Sequence, residues 1–193
     1  MKNNTKCSEH PFYERPLKSE NIYDGRVVHL FRDDVELSDG SRSVREVIRH
    51  NGAVCVLPLT DDGRVACVTQ YRHAIGRLTL ELPAGKLDTK DEDPESAARR
   101  ELKEETGYEC DKITSLGIMH GSPAILDEAI HLYLATGLRR GKATPDEGEF
   151  LDVNHLPLSE LADMVMRGEI TDAKTQIAVL KVYFNINNGG EQQ

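Results

Sequence analysis

Residues 82–108, L-P-A-G-K-L-D-T-K-D-E-D-P-E-S-A-A-R-R-E-L-K-E-E-T-G-Y, constrain this chain more than any other stretch. They read as a strand end, a glycine-containing loop and a helix. Asp93 is suited to the N-cap and Pro94 to the first helical position, where a missing N–H costs nothing. Gly107 is a natural stop just past the last turn. Within the helix Glu101, Glu104 and Glu105 stand at i, i+3 and i+4, so one face carries all three carboxylates. Like charges at that spacing repel by roughly 0.2–0.5 kcal/mol per pair. Arg99, Arg100 and Lys103 interleave, yet the acidic face stays concentrated. A solvated acidic face is the ordinary outcome of such a pattern. A site for a hard divalent cation, bound through oxygen beside phosphate, is the sharper one.

The rest of the composition sets bounds. A chain of 193 residues, 38% hydrophobic and 30% charged, suits one soluble globular domain with an adequate core, or one domain with a small appendage. The longest apolar run, residues 53–59, is too short to cross a bilayer, and the opening M-K-N-N-T-K-C-S-E-H lacks the apolar segment of a signal peptide. A cytoplasmic location and no membrane partner are therefore expected. Cys7, Cys55, Cys67 and Cys110 show no C-x-x-C pairing or zinc spacing, and Cys55 and Cys67 fall in apolar strands as small core residues. A net charge of −9 argues against a nucleic-acid partner, which needs a basic stripe. It leaves a nucleotide substrate open.

Taken in order, residues 1–17 read as a loose arm. Short strands follow at 22–23, 27–31, 35–37 and 44–50, around Asp24-Gly25 and Asp39-Gly40. Residues 52–59 form a continuous apolar run and so a buried strand. Asp61-Asp62-Gly63 makes a hairpin to residues 65–71, and a short strand at 79–82 feeds the glycine loop. Further strands are expected at 113–120, 129–137 and 150–156, with a polar loop at 139–149. A helix spans 157–167, and a last one opens near Thr171 or Asp172 with Ile177, Leu180 and Phe184 on one stripe. Mixed strands with three helices in this order predict α+β, a sheet between helices, with antiparallel strands added at the N-terminal side. The expected division is 1–50 as arm and dimerising strands, 51–187 as the main domain and 188–193 as a disordered tail.

The motif resembles the Nudix hydrolase signature, G-x5-E-x7-R-E-U-x-E-E-x-G-U, where U is bulky and apolar. Residues 100–107, R-E-L-K-E-E-T-G, match its second half throughout, and seven residues separate Glu92 from Arg100. Gly85 and Glu92 are separated by six residues instead of five, and the final U is Tyr108. The extra residue falls in the polar loop 88–91, where an insertion costs little. Beyond the box, T-Q-Y-R-H-A-I-G-R-L-T-L-E-L-P-A-G-K-L-D, S-P-A-I-L-D-E, G-E-I-T-D-A-K-T and R-H-N-G-A-V-C-V-L-P-L look like the ADP-ribose pyrophosphatase branch of that family.

The resemblance implies an α/β/α Nudix sandwich with a mixed sheet and metal-dependent cleavage of ADP-ribose to AMP and ribose 5-phosphate. It implies Mg²⁺, with Mn²⁺ the alternative, held by Glu101, Glu104, Glu105 and the carbonyl of Ala84. Arg100 is expected to hold one carboxylate by a charge-assisted hydrogen bond. Arg72 corresponds to a residue that meets the diphosphate, Ser122 and Glu128 to positions near the terminal ribose and the metals, and Arg49 to a basic residue near substrate. Glu147, in the acidic loop P-D-E-G-E, is expected to orient the water as general base alongside Glu104 and Glu105, with Glu149 an additional metal ligand. Ala124-Ile125-Leu126 stand where the family often carries Gly, an aromatic and a small residue. The branch also implies a homodimer through the N-terminal strands. Two alternatives accompany this reading: a pyrophosphatase for another nucleoside diphosphate sugar, such as GDP-mannose or UDP-glucose, and a non-catalytic nucleotide-binding homologue.

Overall fold

The computed structural model describes residues 7–144, 150–187 and 189. The chain divides into two compact units. One comprises the described residues up to His50 together with Ser122–Glu128, and the other Asn51–Gly121 with the described residues from Ala129 onward.

The first unit is an antiparallel sheet of β1 (Arg15–Asp24), β2 (His29–Glu36) and β3 (Arg42–Arg49), in that order. The β2–β3 turn uses Asp39, whose carboxylate accepts the Ser41 amide at 2.9 Å, and Gly40 with φ 82°. Strand β1 begins inside the stretch that the sequence reads as a loose arm. It is exposed along almost its whole length, so no hydrophobic alternation marks it. Backbone pairing with β2 defines it, aided by Arg15–Glu36 at 2.7 Å and Ser19–Asp33 at 2.5 Å. Segment 122–128 joins this sheet: Ile48 donates to the Ile125 carbonyl, Asp127 donates to that of Ile48, and the Asp127 carboxylate accepts the His50 amide.

The second unit contains β4 (Ala53–Pro58), β5 (Arg64–Arg72), β6 (Arg77–Glu81), β7 (Ala84–Lys86), α1 (Pro94–Thr106), β8 (Tyr108–Met119), β9 (Ile130–Arg140), β10 (Leu151–Pro157), α2 (Leu158–Met166) and α3 (Ala173–Asn187). Its four-stranded sheet runs β7-β4-β9-β8, with β4 and β9 parallel and the outer pairs antiparallel, and a three-stranded sheet runs β10-β5-β6. Every residue of β4 is buried, as its unbroken apolar run requires when both faces are covered. Alternate side chains sort to opposite sides. Val54 and Val56 pack with Ala97, Ala98 and Leu102 of α1, whereas Cys55 and Leu57 pack with Leu161, Ala162, Ala178 and Val179 of α2 and α3. The mixed sheet thus lies between helices, as the sequence predicts.

Three further elements differ from the sequence reading. Residues 84–86 form a short strand instead of a loop, pairing with β4. Strand β8 starts directly after Gly107, because its polar residues Glu109, Asp111 and Lys112 conceal it from a hydrophobic pattern. In α3 the buried stripe is Thr175, Ala178, Val179 and Val182, which is i, i+3, i+4, i+7, and Phe184 is 54% exposed. The smaller stripe lets the helix approach β9 and β4 closely; Ile177 and Leu180 flank it, half-buried.

Candidate active site

Helix α1 is fixed at both ends. The Asp93 carboxylate accepts the Ser96 amide at 2.8 Å, and Pro94 follows it. Gly107 turns the chain with φ 75° and donates to the Lys103 carbonyl at 2.9 Å. A β-carbon on Gly107 would come within 2.7 Å of the Ala143 nitrogen, so only glycine lets residues 141–143 cross the helix end. Thr144 then donates to the Glu104 carbonyl at 3.0 Å.

The three helix glutamates do not share one environment. Glu105 is only 4% exposed, and its carboxylate accepts the Ala84 amide at 3.2 Å. This bond joins the helix to the P-A-G stretch, two elements that the sequence reading places in one site. Glu101 lies over Gly85, in contact with the position a β-carbon would take. Glu104 is the most open of the three. Arg100 draws the cluster together: its Nη1 donates to Glu101 at 2.6 Å and Glu104 at 3.1 Å, and its Nη2 to Glu92 at 3.3 Å and to the Lys86 carbonyl at 3.4 Å. Burial works against the Arg100 charge, but these carboxylates prevail and hold its pKa above the usual value. The Arg100 Nε is buried and makes no hydrogen bond among the described residues. Glu92 also accepts the Asp88 amide at 2.6 Å, which pins the lengthened loop 88–91 to the helix start.

No three acidic, histidine or cysteine side chains among the described residues are gathered as a ready metal cage. The donors nevertheless suit a hard divalent cation. They are oxygens on one helical face, backed by the Ala84 peptide, and the missing β-carbon at Gly85 leaves the Glu101 carboxylate its place. Glu147 and Glu149 lie outside the described residues.

Arg49, Ser122 and Glu128 all belong to the first unit. Arg49 bonds Asp33 at 2.5 Å, approaches Asp127 at 3.6 Å and stands 5.8 Å from the Phe31 ring centre. Glu128 lies 3.4 Å from the His50 ring, and the Ser122 carbonyl accepts the amides of Ile125 and Leu126.

In the second unit Arg72 reveals a group that sequence reasoning missed. Its Nε and Nη2 bond both oxygens of Glu81 at 2.8 and 2.7 Å. Glu81 is 2% exposed and also accepts from the Thr79 hydroxyl at 2.7 Å and the Lys174 ammonium at 2.6 Å. Lys174 bonds Asp172 at 2.8 Å, and Asp172 caps α3 through the Thr175 amide and hydroxyl at 3.0 and 2.6 Å. The Thr175 hydroxyl in turn accepts the buried Leu82 amide at 2.9 Å. Burial pushes the Glu81 carboxyl up, but its bonds with Arg72, Lys174 and Thr79 outweigh this and bring its pKa down to about 2. The available signal was a lone glutamate inside the apolar run L-T-L-E-L-P.

The NUDIX domain family matches residues 49–176, most of the chain and all of the box. This chain belongs to the Nudix family. Residues 14–48, the strands of the first unit, match the nucleoside diphosphate sugar hydrolase N-terminal domain. Among its relatives, a methanol dehydrogenase activator from Bacillus methanolicus is 46% identical over 87% of this chain and 91% of its own length. An ADP-ribose pyrophosphatase from Bacillus subtilis is 42% identical over 86% of this chain and 90% of its own. One from Mycobacterium tuberculosis is 38% identical over 91% and 85%. The solved structure of an ADP compounds hydrolase superposes with a TM-score of 0.81 at 25% identity, covering 92% of this Nudix chain and 96% of the other.

Proposed function

We propose that this Nudix chain hydrolyses the diphosphate of ADP-ribose to AMP and ribose 5-phosphate, using Mg²⁺ or Mn²⁺. The observation that carries the reading is the complete box on α1, with Glu105 bonded to Ala84 and Glu101 seated over Gly85, in a chain 42% identical to an ADP-ribose pyrophosphatase. Glu101, Glu104, Glu105 and the Ala84 carbonyl would hold the cation. Bound there, it would neutralise phosphoryl oxygens and activate an in-line water. Arg100 holds Glu101 and Glu104 on the same side of the helix. Arg72 offers its Nη1 to a phosphoryl oxygen, since only its Nε and Nη2 are engaged by described residues. Glu147 orients the water and Glu149 supplements the ligands. Arg49, Ser122 and Glu128 serve the substrate.

The protein works as a homodimer in the cytoplasm. Ile22, Tyr23 and Val44, all exposed on the N-terminal sheet, support pairing with a second copy. Light scattering behind size exclusion checks this through the mass in solution. For location, the support is that Cys55, Cys67 and Cys110 are unpaired thiols; among the described residues no helix is long and apolar enough to cross a membrane.

Product analysis with ADP-ribose, GDP-mannose and UDP-glucose, each with Mg²⁺ and with EDTA, tests the activity. Metal-dependent release of AMP, fastest from ADP-ribose, is expected. Faster cleavage of a sugar nucleotide would retain the chemistry and reassign the substrate, an outcome that the match of residues 14–48 makes specific. Tight nucleotide binding without turnover with any of the three would overturn the catalytic reading.

A further inference from the structure

We infer that Glu81 and Lys174 are positioning residues that aim Arg72 at the substrate diphosphate, an inference that rests on the substrate reading above. Every acceptor site of the Glu81 carboxylate is filled. One oxygen takes Arg72 Nε and the Thr79 hydroxyl, the other Arg72 Nη2 and the Lys174 ammonium. A buried ion pair seldom adds stability over apolar residues of similar size, so burying this one requires another reason. Orientation supplies it. A bidentate fork leaves the guanidinium one plane and one direction, and Arg72 is the one partially open member, 42% exposed, at the end of β5. Glu81 and Thr79 are buried, and Lys174 is 13% exposed.

Lys174 holds Glu81 at 2.6 Å, and Asp172, at 2.8 Å, anchors Lys174 and caps α3. The four charges alternate in sign and sum to zero, and Arg72 is the most exposed of them, so an anion arriving from solvent meets the guanidinium first. The same array ties β6, which leads through Leu82 and Pro83 into the Ala84–Gly85 site, to the N-terminus of α3. Arg72 and the box glutamates are therefore referenced to one rigid frame. Holding a diphosphate-binding group in a fixed direction saves ordering entropy on binding.

The test combines kinetics with a readout that needs no turnover. The variants are Lys174→Met, Arg72→Ala and the double variant. The Arg72 Nε–H resonance, assigned by its loss in Arg72→Ala, reports side-chain order in the protein alone. Lys174→Met is expected to raise KM for ADP-ribose about tenfold, the effect of one charge-assisted hydrogen bond. kcat should stay within about threefold, and the Nε–H signal should broaden and exchange faster with solvent. In the Arg72→Ala background the KM effect should vanish, because Lys174 acts through Arg72. An equal KM effect in both backgrounds, or an unchanged Nε–H signal in Lys174→Met, would overturn the inference. If Lys174→Met does not fold, Thr79→Val removes one donor to Glu81 without changing charge and must loosen the same signal. Should the wild type leave ADP-ribose intact while Lys174→Met loosens the Nε–H signal, the substrate reading fails and the positioning array stands.

Discussion

The Glu101 carboxylate rests on Gly85, in the space that a β-carbon would fill. Gly85 is not among the glycines with positive φ, so alanine suits its backbone and only the carboxylate must move. Because that carboxylate ends a flexible side chain, the fold absorbs the shift while the metal site does not. Gly85→Ala is expected to keep its Tm within about 4 °C of wild type. Its kcat/KM should fall roughly 10²-fold, the cost of misplacing a group at the reacting centre. Full activity in this variant would show that Glu101 works from elsewhere.

Glu105 is the glutamate whose loss separates chemistry from folding. It is buried and accepts the Ala84 amide, so glutamine retains an acceptor of the same shape. Glu105→Gln should lower turnover by at least about 100-fold while leaving the urea midpoint nearly unchanged. Self-repulsion on α1 contributes less to this tolerance than the pattern alone suggests, because Arg100 already bridges Glu101 and Glu104. A variant that unfolds would identify Glu105 as a structural acceptor.

The box was legible because each of its residues has a local meaning. Asp93 caps, Gly107 stops, and Glu101, Glu104 and Glu105 share a face by helical period alone. The unbroken apolar run at 53–59 likewise declared a buried strand. Of strand β1 only residues 22–23 were legible, since a strand exposed on both faces leaves little alternation to read. Glu81 escaped for a different reason. Its partners lie 9 residues before it, at Arg72, and 93 residues after it, at Lys174, so only the folded sheet and α3 bring the array together. Segment 122–128 is similar: nothing local to Ser122 or Glu128 tells of its pairing with residues 48–50.

Thr175 offers a test of how α3 is tied to the strand before the site. Its hydroxyl bonds Asp172 and accepts the buried Leu82 amide. Thr175→Val keeps the volume and leaves that amide unsatisfied. A loss of about 1–3 kcal/mol in urea unfolding is expected, and Thr175→Ser should recover most of it. A loss within error of zero would mean that water or a backbone shift satisfies Leu82.

Glu81 also sets a response to acid. Its carboxyl ordinarily titrates at 4.5 and in the fold at about 2, so the folded state favours the ionised form. A depressed carboxyl contributes stability in full above its unfolded value and loses it as pH falls through the folded value. The window is therefore from about pH 5 down to about 2, and the contribution at neutral pH is on the order of 3 kcal/mol. Glu81→Gln removes the titration and leaves Arg72 and Lys174 without their shared partner, at a cost of about 3–5 kcal/mol at pH 7. Urea unfolding of both proteins at pH 7, 5 and 3 should show the wild type losing stability more steeply than Glu81→Gln, so that the gap between them narrows in acid. Parallel losses across that range would assign acid sensitivity to other carboxylates and show that protonating Glu81 costs the fold little.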